Sequence, residues 1–179
     1  PVAMPHVSID RWPGIASAIS MAIGANASST KQLLKVSKAP VDGNDPSSVG
    51  QTILGILWYS IYATNDVIER LGGNPYDNSR RWYSGSNNDL LLNFRVQRFH
   101  ADVSALSAMN AGFQTSGRLS RPVVTLHTTS DPIVPYWHET LYNPKTLVSG
   151  SLLRHLNIPV SRYEHCTFNV GDLITAFSI

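Results

Sequence analysis

The fold of this chain is decided by one stretch of sequence, Arg121–Tyr136, which reads RPVVTLHTTSDPIVPY. A proline stands at its entrance, a short apolar and β-branched run follows at 123–126, and turn residues interrupt the pattern at 128–130. A short apolar run that is stopped by turn residues is typical of a buried strand in a parallel sheet. Asp131 comes next, at the carboxyl end of that strand, where open α/β sheets carry catalytic and ligand-binding groups.

A second acid–base candidate follows the next predicted strand along the chain. That strand covers 160–163, His165 comes just after it, and an amphipathic helix is predicted from about Val170. An acid after one strand and a histidine after the next are the last two members of a Ser–Asp–His triad in one known chain order. From the spacing alone, a turn aspartate and a surface histidine remain an open alternative.

The sequence segments PVVTLHTTSDPIVP and RYEHCTF, followed by a C-terminal helix, resemble the C-terminal end of an α/β-hydrolase. The resemblance covers 121–179, about a third of the chain. It implies that Asp131 accepts the Nδ1 proton of His165 and that His165 is the general base. It also implies an α/β fold class: part of an α/β-hydrolase sheet, with about two parallel strands and flanking helices, preceded by a mostly helical cap.

The chain departs from that family at the nucleophile. A nucleophile elbow needs Gly-x-Ser-x-Gly, yet no two glycines in this sequence stand four positions apart. Ser17 lies in a helical pattern and Ser86 in a polar loop, and the oxyanion-hole segment is also missing. A parallel sheet of two strands needs further cover on its faces and edges. We therefore interpret the chain as inactive alone, with the N-terminal part of the same hydrolase, which carries the serine, as its expected partner.

The domain prediction places a helical cap or lid-like region at 1–120 and the hydrolase core segment at 121–179. Residues 1–10 are predicted to be a loop or the tail of a connection from a preceding strand. The strongest helix is predicted from Pro46 to Leu71, with Asp45 as its N-cap and Gly72-Gly73 as its end; its apolar residues at 49–71 make a wide face. Shorter helices are predicted from Trp12 to about Gly24, from Lys31 to Val36 with Ser28–Thr30 as cap and Leu33, Leu34 and Val36 turned inward, and from Val103 to Ala111 with Asp102 as cap. Leu90–Phe94 is predicted to be a short helix or a turn.

Aromatic residues supply the candidates for substrate binding. Trp58 and Tyr62 in the cap-like region can line an acyl or aryl pocket, and Trp137 after the acid loop is a third candidate. The alternative for the cap aromatics is ordinary packing between helices, which the sequence favours.

The remaining reactive side chains have less specific interpretations. Cys166 is the single cysteine, and a pair with His165 is conceivable. Sequence neighbours usually point apart, however, so a buried or half-buried free thiol is predicted. His127 is predicted to order the loop around Asp131, and His138-Glu139 to hydrogen-bond to that loop or to line the cleft. These residues match no known metal-ligand spacing, and neither a metal nor a cofactor is predicted.

Composition excludes several classes of protein. The apolar fraction of 42% and the charged fraction of 15% suit a folded core, and the net charge of +2 does not indicate a nucleic-acid partner. No apolar run reaches the roughly 18–20 residues of a membrane span. One cysteine excludes an internal disulfide. The sequence does not indicate a localisation.

The predicted function is part of a serine hydrolase that cleaves a small carboxylic ester through an acyl-enzyme. An amide substrate, and thus a peptidase, and an acyltransferase stay open because one fold hosts all of them. The alternative from another class is a non-catalytic helical binding module derived from a hydrolase, which forms a homo-oligomer through the apolar face of 49–71.

Overall fold

The computed structural model of the chain describes residues 6–179; residues 1–5, which belong to the predicted N-terminal loop and cap-like region, lie outside the described residues. The described part contains seven α-helices and a two-stranded parallel sheet, which confirms a mixed α/β class. In chain order the elements are α1 (Trp12–Ala25), α2 (Ala27–Ser37), α3 (Ser48–Leu71), α4 (Asp89–Arg95), α5 (Val103–Gly112), β1 (Val123–Ser130), α6 (Trp137–Val148), β2 (His155–Tyr163) and α7 (Val170–Phe177), with short 3-10 turns at Ile9–Arg11 and Leu152–Arg154.

Contacts within the chain divide it into two compact units. The first comprises the described residues up to Ala39 together with Ser47–Gln114, and it contains α1 to α5. The second comprises Pro40–Pro46 and Thr115–Ile179, and it contains the sheet with α6 and α7. Asp131 and His165 both belong to the second unit.

The long helix of the first unit, α3, follows the predicted apolar repeat but begins later than predicted. It starts at Ser48 because the backbone of Asp45 bonds back to Asp42 in a turn that precedes the helix. Its end is as predicted: Gly72 has φ 67, a left-handed conformation that glycine adopts without steric cost.

The shorter helices of the first unit confirm most of the predicted positions, but two of the predicted capping residues are wrong. Asn26, not the Ser28–Thr30 run, caps α2 by accepting the N–H of Ser29 at 2.9 Å, so α2 starts at Ala27. Leu33 is 49% exposed, so the prediction that it turns inward is wrong. Asp102 precedes α5 as predicted, but its carboxylate accepts the N–H of Asn74 at 2.7 Å instead of capping the helix.

Both strands of the second unit are longer than the sequence pattern predicts. The parallel register runs from Val123 opposite His155 to Thr128 opposite Val160 and, past an irregularity, joins Ser130 to Tyr163. β1 therefore continues through the predicted turn residues. The fully buried Thr128 is satisfied there, since its hydroxyl donates to the carbonyl of Glu164 beyond the other strand at 2.7 Å. The two strands end side by side, which places the segments after them at one edge of the sheet.

The second unit exposes a large apolar surface. Leu153 is fully exposed, and Val148, Phe177 and Val170 are 89%, 90% and 71% exposed. Surfaces of this kind commonly mark places that another segment or protein covers. None of the helices within residues 6–179 is both long enough and apolar enough to cross a membrane.

Candidate active site

The carboxylate of Asp131 is fixed by its own loop. The Asp131 side chain is 1% exposed, and its Oδ1 accepts the backbone N–H groups of Ile133 and Val134, both at 2.8 Å. Pro132 helps to shape this turn because its ring fixes φ. One carboxylate oxygen is thus held by the backbone, and Oδ2 is left to face the neighbouring loop.

That second oxygen meets the histidine that the sequence analysis selected. Nδ1 of His165, in the loop after β2, donates to Oδ2 of Asp131 at 2.7 Å, within the range of charge-assisted hydrogen bonds. The His165 side chain is 45% exposed, whereas Asp131 is buried. The imidazole therefore has one nitrogen anchored to a buried acid and the other, Nε2, on the accessible side.

The loop that carries His165 has an unusual backbone. Glu164 and Cys166, on either side of His165, have φ values of 79 and 54. Left-handed backbone costs a residue with a side chain about 1–2 kcal/mol. Neighbouring groups hold the conformation: the Glu164 N–H donates to the Ser130 carbonyl at 3.3 Å, and Thr128 binds the Glu164 carbonyl. Such backbone, held by its surroundings, is frequent at functional sites.

An arginine and a capped helix fix the far side of the same loop. Arg162 donates to the carbonyl of Thr167 and, at 2.7 Å, to Oδ2 of Asp172. Asn169 and Asp172 form a reciprocal capping box at the start of α7. The backbone N–H of Asn169, and secondly the Arg162 guanidinium, lower the pKa of Asp172. These contacts tie the start of α7 to the end of β2, with His165 between them.

Cys166 does not lie where the sequence analysis placed it. Its side chain is exposed, not buried or half-buried, and its Sγ lies 3.4 Å from Nε2 of His165. The prediction assumed that neighbours point apart, as they do in extended chain. The positive φ of Cys166 breaks that alternation and turns the thiol back towards the imidazole.

His127 lies against the acid loop from the strand side. Its Nε2 donates to the carbonyl of Val134 at 2.8 Å and lies 3.7 Å from Oδ2 of Asp131. Its Nδ1 lies 3.1 Å from Oε1 of Glu139, near the start of α6. His127 was predicted to order the loop around Asp131, and such a role requires a contact like its hydrogen bond to Val134 in that loop.

The sequence analysis missed a network of polar side chains that contacts Glu139. Thr125 lies 3.3 Å from both Oε2 of Glu139 and Nε2 of His155, and accepts from Asn157 at 3.0 Å. The His155 side chain is 1% exposed. The sequence does contain a signal: Thr125 and His127 alternate on β1 while His155 and Asn157 alternate on β2, so all four share one face.

The candidate substrate-binding aromatics belong to different units. In the first unit Tyr62 packs between Trp12 and Trp58, with ring centroids 6.1 and 5.2 Å apart. In the second unit Trp137 is 53% exposed and lies beside the ring of His138, at 4.0 Å. Their role in binding substrate stays a prediction.

Within residues 6–179, no group of three or more His, Cys, Asp or Glu side chains is arranged to hold a metal ion.

No protein-family model, curated protein or solved structure matches this chain.

Proposed function

We propose that this chain supplies the acid and the general base of a serine-type hydrolase of the α/β-hydrolase class, which cleaves a small carboxylic ester. The observation that carries the proposal is the 2.7 Å bond between Nδ1 of His165 and the buried Oδ2 of Asp131. A buried acid bonded to Nδ1 fixes the neutral tautomer in which Nε2 is free to accept a proton.

In this proposal His165 takes the proton of an attacking hydroxyl at Nε2 and returns it to the leaving alcohol. Asp131 stays ionised throughout and stabilises the imidazolium that forms. Its two backbone N–H bonds support this role, because they hold the carboxylate in place while Oδ2 faces the imidazole. Ester cleavage proceeds through an acyl-enzyme that water then hydrolyses.

The hydroxyl nucleophile is proposed to come from a segment outside these 179 residues. No Gly-x-Ser-x-Gly occurs in the sequence, and large apolar side chains of the second unit such as Leu153 and Phe177 are exposed, as expected where further strands and helices cover them. We propose the N-terminal part of the same hydrolase as the source of that segment.

The first test compares this chain with the longest product of its gene on p-nitrophenyl acetate. We expect turnover by the longer product and none above background by the 179-residue chain, because an imidazole without a positioned hydroxyl lacks the covalent step. Purified chain with Cys166→Ala serves as the control for thiol acylation, since it removes the thiol without adding a hydroxyl beside His165. Steady turnover by the chain alone, retained in that control, would contradict the proposal.

A second candidate function is favoured by one specific contact, the 3.4 Å between Sγ of Cys166 and Nε2 of His165. In this case the thiol is the nucleophile. It passes its proton to Nε2 and attacks the carbonyl of a thioester or activated ester, and the leaving group departs with the proton from His165. Water then cleaves the acyl–sulfur bond. This chemistry needs no hydroxyl from another segment.

Alkylation by iodoacetamide measures whether His165 activates the thiol. In mildly acidic buffer we expect Cys166 to react about tenfold faster in the wild type than in His165→Ala, because Nε2 of His165 lies 3.4 Å from Sγ and can take the thiol proton. His138→Ala removes a histidine outside the pair and should leave the rate unchanged. Equal rates in the wild type and His165→Ala would eliminate the cysteine candidate without affecting the serine-type proposal.

A further inference from the structure

The contacts of His127 require more protons than a neutral imidazole carries. Nε2 faces the carbonyl of Val134 at 2.8 Å, and a carbonyl can only accept, so Nε2 bears a hydrogen. Nδ1 faces a carboxylate oxygen of Glu139 at 3.1 Å. An ionised carboxylate also only accepts. A second proton therefore lies between Nδ1 of His127 and Oε1 of Glu139.

Two carboxylates flank the imidazole of His127. The side chains of His127 and Glu139 are only 11% and 16% exposed. Oδ2 of Asp131 lies 3.7 Å from Nε2, and Oε1 of Glu139 lies 3.1 Å from Nδ1. Each nitrogen of this largely buried ring therefore has a carboxylate oxygen on its side.

The other groups around the pair are a histidine, a hydroxyl group and an aromatic ring. From β2, Nε2 of His155 lies 3.9 Å from Oε2 of Glu139, and from β1 the hydroxyl of Thr125 lies 3.3 Å from the same oxygen. The ring of Tyr136 packs edge-on against His127, with centroids 5.5 Å apart. His127 thus contacts α6 through Glu139, and it hydrogen-bonds the acid loop at the carbonyl of Val134.

We infer that His127 and Glu139 form a positioning pair, in which Glu139 holds His127 doubly protonated and His127 holds the Val134 carbonyl so that Oδ2 of Asp131 faces His165. This inference rests on the proposed acid–base role of Asp131 and His165. Neither His127 nor Glu139 touches the reacting atoms in this arrangement. They act through the loop of Asp131, whose N–H at Val134 binds the other carboxylate oxygen.

The test begins with nitrogen-15 NMR of the histidine rings in the wild-type chain at neutral pH, which needs neither a variant nor catalysis. We expect both ring nitrogens of His127 to show attached hydrogens, and His165 to show a low-field Nδ1–H resonance from its bond to Asp131. A His127 ring with hydrogen on one nitrogen only would overturn the inference.

The variant Glu139→Gln then removes the carboxylate charge of this side chain while nearly keeping its shape. Its amide can donate to an unprotonated Nδ1, so the ring keeps its place without the extra proton. We expect His127 to change to a single-hydrogen pattern and the low-field resonance of His165 to broaden. In the longer gene product we expect kcat to fall about tenfold with little change in KM, comparable with the loss of partners that orient other functional histidines.

His138→Gln is the matched control, since His138 is exposed and its neighbour in α6 is Glu139. It should leave the ring pattern of His127 and the resonance of His165 unchanged. If Glu139→Gln also leaves both unchanged, the pair does not position the acid and the inference fails. A lack of hydrolysis by the longer product would refute the proposed function, while the ring spectra of the chain would still decide the protonation of His127.

Discussion

Replacing Asp131 with asparagine should lower ester hydrolysis by the longer gene product about 10⁴-fold, the size of effect that the wrong histidine tautomer has in serine-protease triads. The amide oxygen can take the place of Oδ1 and accept the N–H groups of Ile133 and Val134. The amide nitrogen then faces Nδ1 of His165, and it can only donate. The imidazole must move its hydrogen to Nε2, which can no longer accept a proton from a nucleophile.

The control for this prediction is Glu164→Gln, which makes the same carboxylate-to-amide change in an exposed residue next to His165. It should retain activity within a few-fold. The kinetic signature of Asp131→Asn is a loss in kcat with KM nearly unchanged, because only an interaction of the transition state is removed. Comparable activity of Asp131→Asn and the wild type would show that the bond to His165 is structural and that the acid lies elsewhere.

The juxtaposition of Asp131 and His165 follows from information that the sequence carries locally. Asp131 comes after an apolar, β-branched run and His165 after a short predicted strand at 160–163. Parallel strands that are neighbours in a sheet bring their carboxyl ends to one edge. The two side chains lie 2.7 Å apart.

The ends of the strands were not predictable in the same way. Thr128, Thr129 and Ser130 are typical turn residues, and the local pattern ends β1 before them. The structure keeps them in the strand because the hydroxyl of Thr128 and the carbonyl of Ser130 find partners at Glu164, 36 and 34 positions further on. Local propensity gives way where a neighbouring strand satisfies the polar groups.

The orientation of Cys166 depends on hydrogen bonds within its own loop. A positive φ at a cysteine is disfavoured locally, so no sequence rule places the thiol beside its neighbour's ring. The surrounding hydrogen bonds of the loop impose it, including the bond from the N–H of Phe168 to the Cys166 carbonyl at 2.8 Å.

The loop that leads into β1 passes so close to α6 that a single methyl group should disrupt the second unit. Gly117 has φ +71, and a Cβ added there would lie 2.4 Å from the backbone carbonyl carbon of Lys145 and 2.7 Å from the backbone N of Thr146. These are main-chain atoms and cannot rotate away. The approach is held in place because the hydroxyl of Ser149 donates to the carbonyl of Gly117 at 2.6 Å.

We expect Gly117→Ala to lower the free energy of unfolding of the second unit by about 4 kcal/mol, at the upper end of single substitutions. Gly150→Ala is the matched control, because Gly150 has φ +72 but no atom within 4 Å of an added Cβ. It should lose only about 1–2 kcal/mol from left-handed backbone. Hydrogen exchange of the β1 and β2 amides reports on this unit alone. Equal losses in the two variants would mean that the loop can shift away from α6, whereas the expected gap assigns the difference to the backbone contact.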